Sequence, residues 1–107
     1  MRSKEVQDSL VEIKGRLSSA HGARLKGVVL YGSESRGDAR PDSDIDLLVL
    51  LEGELDYGRE LWRNVQALYP VAKRLGRRIS AKPVLVDDYN SVRCPLYLNA
   101  HKEGVML

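Results

Sequence analysis

Asp44 and Asp46 stand two residues apart at the head of the apolar run Asp44–Leu51. In an extended strand, residues two apart project from the same face. The two carboxylates would then stand side by side, while Ile45, Leu47 and Val49 point the other way into a core. Paired carboxylates at the mouth of an apolar strand repel one another and lose hydration, and a divalent cation relieves both costs. Hard oxygen donors suit Mg2+, which commonly takes one or two carboxylates together with substrate phosphates. The segment just upstream has the complementary chemistry. Gly32 permits a turn and a close approach to a ligand, Ser33 offers a hydroxyl and an amide, and Ser35, Arg36 and Gly37 continue a loop that can hold anionic oxygens. Arg36 brings planar donors suited to phosphate. Asp38 to Ser43, with Pro41, reads as the loop's return. A phosphate-holding loop beside a two-carboxylate metal site is what nucleotidyl transfer requires, because the metal neutralises phosphate oxygens and aligns the in-line attack.

Positioning these groups needs two strands. Gly27–Tyr31, with its Val-Val-Leu-Tyr run, is the first and Asp44–Leu51 the second. Before them, Ser3 to Ala20 predicts an amphipathic helix: Val6, Leu10, Ile13 and Leu17 form one apolar stripe, Ser3 is a suitable N-cap, and His21-Gly22 marks the stop. His21 reads as a loop or capping histidine. Glu52-Gly53-Glu54 closes the second strand as solvated acids. A second helix is expected over Tyr57–Leu68, capped by Asp56, with Leu61, Val65 and Leu68 as its inward stripe and Trp62 beside it. Pro70 should kink or restart it before a last turn, Val71–Leu75, that ends at Gly76. Lys73, Arg74, Arg77 and Arg78 form a basic cluster best read as complementing the helix dipole rather than as a ligand site.

Ile79–Val86 predicts a third strand that Pro83 confines to an edge, a bulge or its first ladder position. Asp87-Asp88-Tyr89 breaks it. Pro95 begins a short helix, Leu96 to Glu103, that stops at Gly104. The tail Val105–Leu107 either packs back as an edge strand or contacts a partner. The order α-β-β-α-β-α gives an α/β (α+β) layer fold.

The motif carries a resemblance. Gly32-Ser33, ten residues, then Asp44-Ile45-Asp46 resembles the signature of the nucleotidyltransferase superfamily that includes DNA polymerase beta. The fuller run GSESRGDARPDSDIDLLV is similar to the minimal nucleotidyltransferase branch, whose loops usually read Gly-Ser-x-x-Arg-Gly before Ser-Asp-Ile-Asp-Leu. The resemblance implies a small mixed sheet with helices packed mainly on one face, and an active site at the ends of the first two strands. It implies Mg2+ on Asp44 and Asp46, ATP phosphates on Gly32 and Ser33 with Arg36 neutralising their charge, and transfer of AMP to a hydroxyl. Such proteins resemble the antitoxin half of two-gene modules whose other half is a helical HEPN protein, commonly an RNase toxin, and in that family the antitoxin can adenylylate a tyrosine of the toxin.

The chain departs from the superfamily at one point. Its enzymes generally carry a third carboxylate on the strand after the central helix, whereas that strand here reads ISAKPVLV. Asp87 or Asp88 would have to swing in from its far end, and Ser80 and Lys82 lie where a third group would project. The alternative expectation is therefore a catalytically degenerate binding module that masks its partner.

Composition narrows the rest. At 107 residues the chain is expected to form one domain over 1–107. A net charge of +2 argues against nucleic acid as the main partner and against a membrane surface. There is no signal-peptide core and no membrane-length apolar run, and the single cysteine, Cys94, excludes an internal disulfide, so a cytoplasmic setting is expected. A chain this short leaves the acceptor hydroxyl to another molecule.

Overall fold

The first helix forms where its stripe and caps require. In the computed structural model, which describes residues 3–40, 42–92 and 94–107, α1 runs Lys4–His21. The Ser3 hydroxyl accepts from the Val6 amide at 3.2 Å, and Gly22 caps the other end at φ 60°. Leu10, Ile13 and Leu17 are buried as the stripe predicts. A 3-10 turn, Gly22–Arg24, leads into β1, Leu25–Tyr31.

The remaining elements are α2 (Ser33–Arg36), β2 (Ile45–Leu51), α3 (Tyr57–Leu75), β3 (Ile79–Leu85), α4 (Val86–Asn90), α5 (Pro95–Glu103) and β4 (Val105–Met106). Among the described residues these build one mixed sheet in the order β3-β2-β1-β4. β1 pairs antiparallel with both β2 and β4, and β2 pairs parallel with β3. Pro83 lies in β3, which is an edge of the sheet and so can spare an amide donor. The tail takes the other edge, where Val105 and Met106 oppose Leu30 and Val29. Pro41, assigned above to the loop return, lies outside the described residues.

The long helices α1 and α3 share one face of the sheet, over a core of Leu10, Ile13, Leu17, Val28, Leu30, Leu47, Val49, Leu68 and Val71. The short α4 and α5 cover the opposite face, where Val29, Leu48, Leu50 and Val84 pack with Tyr89 and Ala100. β2 is therefore buried on both faces, which is why Ile45–Leu51 reads as a nearly continuous apolar run broken only by Asp46.

α3 departs from expectation twice. It runs through Pro70 without a break, as the buried Leu68 and Val71 hold both sides of the proline against the core. Its buried stripe is Glu60, Asn64, Leu68 and Val71, whereas Val65, expected inside, is 45% exposed. Two polar residues displace apolar ones because each finds polar partners on neighbouring elements. Asn64 Oδ1 lies 2.6 Å from His21 Nε2, and Asn64 Nδ2 donates to the Ala81 carbonyl at 2.9 Å. Glu60 pairs with Arg24 and, at 3.5 Å, with Arg63. His21 is thus a buried link between α1 and α3 rather than a loop or capping histidine. Trp62 and Tyr69 are left facing outward.

Candidate active site

The two strands deliver their polar residues to one end of the sheet. Tyr31, the last residue of β1, opposes Asp46 on β2, and Asp46 opposes Ser80 on β3. Directly opposed residues share a face, so Tyr31, Asp46 and Ser80 form a polar row across three strands. Leu48 and Lys82 form the next row on that face. Lys82 Nζ reaches back to the Tyr31 hydroxyl at 3.4 Å. Asp44 lies one residue before β2 begins and is exposed.

Gly32 is the tightest point of the site. Its backbone has φ 75° and ψ −154°, a region that essentially only glycine adopts. A Cβ there would lie 2.5 Å from Asp46 Oδ2. The missing side chain lets the loop backbone sit directly against the carboxylate, so a phosphate held by the loop would be adjacent to a cation held by Asp44 and Asp46. The donor set fits Mg2+ in its chemistry: two hard carboxylates at one strand end, Asp44 exposed and Asp46 half-buried.

The segment after Gly32, expected as an irregular loop, closes into the single helical turn α2. The Arg36 amide donates to the Gly32 carbonyl at 3.2 Å, the Ser35 hydroxyl donates to the same carbonyl at 2.9 Å, and Gly37 ends the turn in the left-handed region. Ser33 opens this turn. Arg36 is exposed and sits 3.4 Å from Asp38 and 3.5 Å from Glu103. Those carboxylates, Asp38 above all, strengthen its hold on its proton.

Electrostatics mark Asp46. Burial pushes its carboxyl above the ordinary 3.8, and the neighbouring Asp44 charge pushes it further, while Lys82 and Arg36 pull it down. A carboxylate unsettled in this way, beside a second one, gains from a cation. Tyr31 is raised by burial against the opposing pull of Lys82.

Of the expected site residues, Gly32 and Asp46 are in close approach, Asp44 and Arg36 are near enough for their charges to act on Asp46, and Ser33 opens the turn that follows Gly32. Asp87 and Asp88 do not join them. They begin α4, beyond the far end of β3, roughly 20 Å along the strand from Ser80. The sequence reading also missed Glu34 and Arg77. Arg77, grouped above with a basic cluster complementing the helix dipole, is buried and pairs with Glu34 at 2.7 Å. A lone acid between two serines and an arginine in a basic run carry no local signal of burial.

With this geometry in place, comparison with known proteins gives a consistent answer. The family model described as "Nucleotidyltransferase domain" matches residues 10–87. A Methanocaldococcus jannaschii protein named "Putative protein adenylyltransferase MJ0604" is 32% identical over 65 residues, which span 61% of this chain and 65% of that protein. Among solved structures, a toxin-antitoxin crystallised with AMP-PNP superposes with a TM-score of 0.64 at 22% identity, covering 97% of this chain and 72% of the other. A mutant of the toxin-antitoxin MntA-HpeT gives 0.59 at 21% identity, covering 94% and 70%. Likenesses of that identity speak for the fold, a mixed sheet of the nucleotidyltransferase kind. The family match takes in both strands of the site and the loop between them, and on that ground this chain belongs to the nucleotidyltransferase domain family.

Proposed function

We propose that this chain transfers AMP from ATP to a hydroxyl, a tyrosine of a HEPN-type helical toxin encoded beside it, and so acts as an antitoxin. The observation that supports the reading is the approach of Gly32 to Asp46, which would bring phosphates held by the loop next to a cation held by the carboxylates. In this reading Asp44 and Asp46 hold Mg2+, Gly32 and Ser33 hold the β- and γ-phosphates, and Arg36 and Lys82 lend positive charge. Bound Mg2+ supplies charge neutralisation at the phosphate oxygens. The acceptor oxygen bonds to the α-phosphorus, the bond to the diphosphate breaks and pyrophosphate leaves. The hydroxyl proton passes to water or to a base brought by the acceptor protein. The names of the M. jannaschii relative and of the toxin-antitoxin neighbours support a protein acceptor and a toxin partner.

The test is the intact mass of the protein that co-purifies with this chain, after incubation with ATP and Mg2+. One or more added AMP groups are expected with the wild type and none with Asp44→Asn/Asp46→Asn. A wild type that adds no mass under these conditions would sink the enzymatic reading.

A second reading has its own observation. The residue opposite Asp46 on β3 is Ser80, and the next on that face is Lys82, so β3 brings no carboxylate to the pair. A fold kept as a masking surface would look the same at that position. It predicts that the double variant still binds and silences the partner, whereas the catalytic reading predicts that it binds without silencing.

A further inference from the structure

Arg77 has no part in the chemistry proposed above, yet its guanidinium is buried beside the site. Its side chain and that of Glu34 are each only 6% exposed, with Arg77 Nη1 2.7 Å from Glu34 Oε1. Arg77 Nε donates to the Ser43 carbonyl at 2.8 Å. Nη2 is buried and has no hydrogen-bond partner among the described residues. Glu34 directly follows Ser33, and Ser43 directly precedes Asp44. One side chain therefore grips both ends of the loop that joins the phosphate-holding turn to the paired carboxylates. Arg77 is itself anchored. Its amide donates to the Ala72 carbonyl at 3.2 Å, and the carbonyl of the next residue, Arg78, accepts from the Ile45 amide at 2.9 Å.

A buried ion pair is an indifferent stabiliser, since the cost of desolvating both charges offsets much of their attraction and an apolar pair of similar volume often does as well. The unpartnered Nη2 adds a further cost. What a planar guanidinium does supply is fixed geometry between two acceptors. We propose that Arg77 is a positioning residue: through Glu34 and Ser43 it sets the spacing between Ser33 and the Asp44/Asp46 pair, so that the loop is formed before nucleotide arrives. The proposal rests on the nucleotidyl-transfer reading of the site.

The experiment compares wild type, Arg77→Met and Arg77→Lys by amide hydrogen exchange and by titration with Mg·ATP. In Arg77→Met, loop amides between Gly32 and Asp46 should exchange at least about tenfold faster while α1 and α3 keep their protection. The Kd for Mg·ATP should rise with the loosening. Arg77→Lys should recover part of both, because an ammonium can reach Glu34 without bridging to Ser43. Unchanged loop exchange in a folded Arg77→Met, or acceleration spread equally over α1 and α3, overturns the proposal. Should Arg77→Met not fold, Glu34→Gln takes its place: loosening confined to the loop supports the proposal, and none overturns it. A wild type that fails to bind Mg·ATP would remove the nucleotide reading, and the exchange pattern would still decide whether Arg77 holds the loop.

Discussion

Gly32 and Asp46 are in such close approach that a Cβ on the first would lie 2.5 Å from Oδ2 of the second. Gly32→Ala must therefore move either the loop or the carboxylate, and must also hold alanine in a backbone region that costs about 1–3 kcal/mol for a residue with a Cβ. The variant is expected to lose about that much stability in urea unfolding and to lose Mg·ATP binding in titration. Wild-type affinity in a folded Gly32→Ala would show that the close approach is irrelevant to the ligand.

Asp46→Asn should separate stability from function. The folded carboxyl sits above its ordinary 3.8, through burial first and the Asp44 charge second. A carboxyl raised in the folded state binds more protons folded than unfolded, so its contribution to stability falls as pH rises from about 3.8 through the folded value. Near neutral pH the asparagine variant should melt at or above the wild-type temperature, and the gap should close in acid. It should no longer bind Mg·ATP. A variant that melts well below wild type at neutral pH would contradict the repulsion inferred here.

Glu60 should show the opposite pH dependence. Burial opposes its ionisation, but the Arg24 guanidinium, helped by Arg63, outweighs burial and holds the carboxyl below its ordinary 4.5. Its stabilising contribution is then complete above 4.5 and is lost as pH falls through the folded value. Glu60→Gln is expected to cost about 1–3 kcal/mol near neutral pH, since it leaves Arg24 with a weaker partner. The difference from wild type should shrink in acid. Parallel acid melting curves of the two proteins would refute the assignment.

Lys82 stands on β3 in the row next to Asp46 and Ser80. It lowers the Asp46 carboxyl and touches the Tyr31 hydroxyl. In Lys82→Met the Asp46 carboxyl should rise further, moving the acid limb of Mg·ATP binding to higher pH. The affinity at neutral pH should fall by up to about fivefold, the worth of one partly exposed charge contact. Isothermal titration across a pH series would detect both changes, and a profile identical to wild type would remove Lys82 from the site.

The sequence by itself marked out the candidate site, because its residues lie close together in the chain. Gly32-Ser33 and Asp44-x-Asp46 lie within one strand-turn-strand unit, although β2 itself begins at Ile45, so strand period alone does not place Asp44 beside Asp46. The α1 stripe, its caps and the edge position of β3 were legible for the same reason: spacing, Ser3, Gly22 and Pro83 each act on their own neighbourhood. Tertiary structure alone decided what depends on distant partners. Leu61, Val65 and Leu68 made a plausible inward stripe, yet α3 turns Glu60 and Asn64 inward because Arg24, His21 and the Ala81 carbonyl wait there. Arg77 reads as one charge in a basic run at a helix end until Glu34 and Ser43, more than thirty residues earlier, are folded against it. A polar residue is buried only when its partners are already in place, and periodicity in a single segment carries no information about partners elsewhere in the chain.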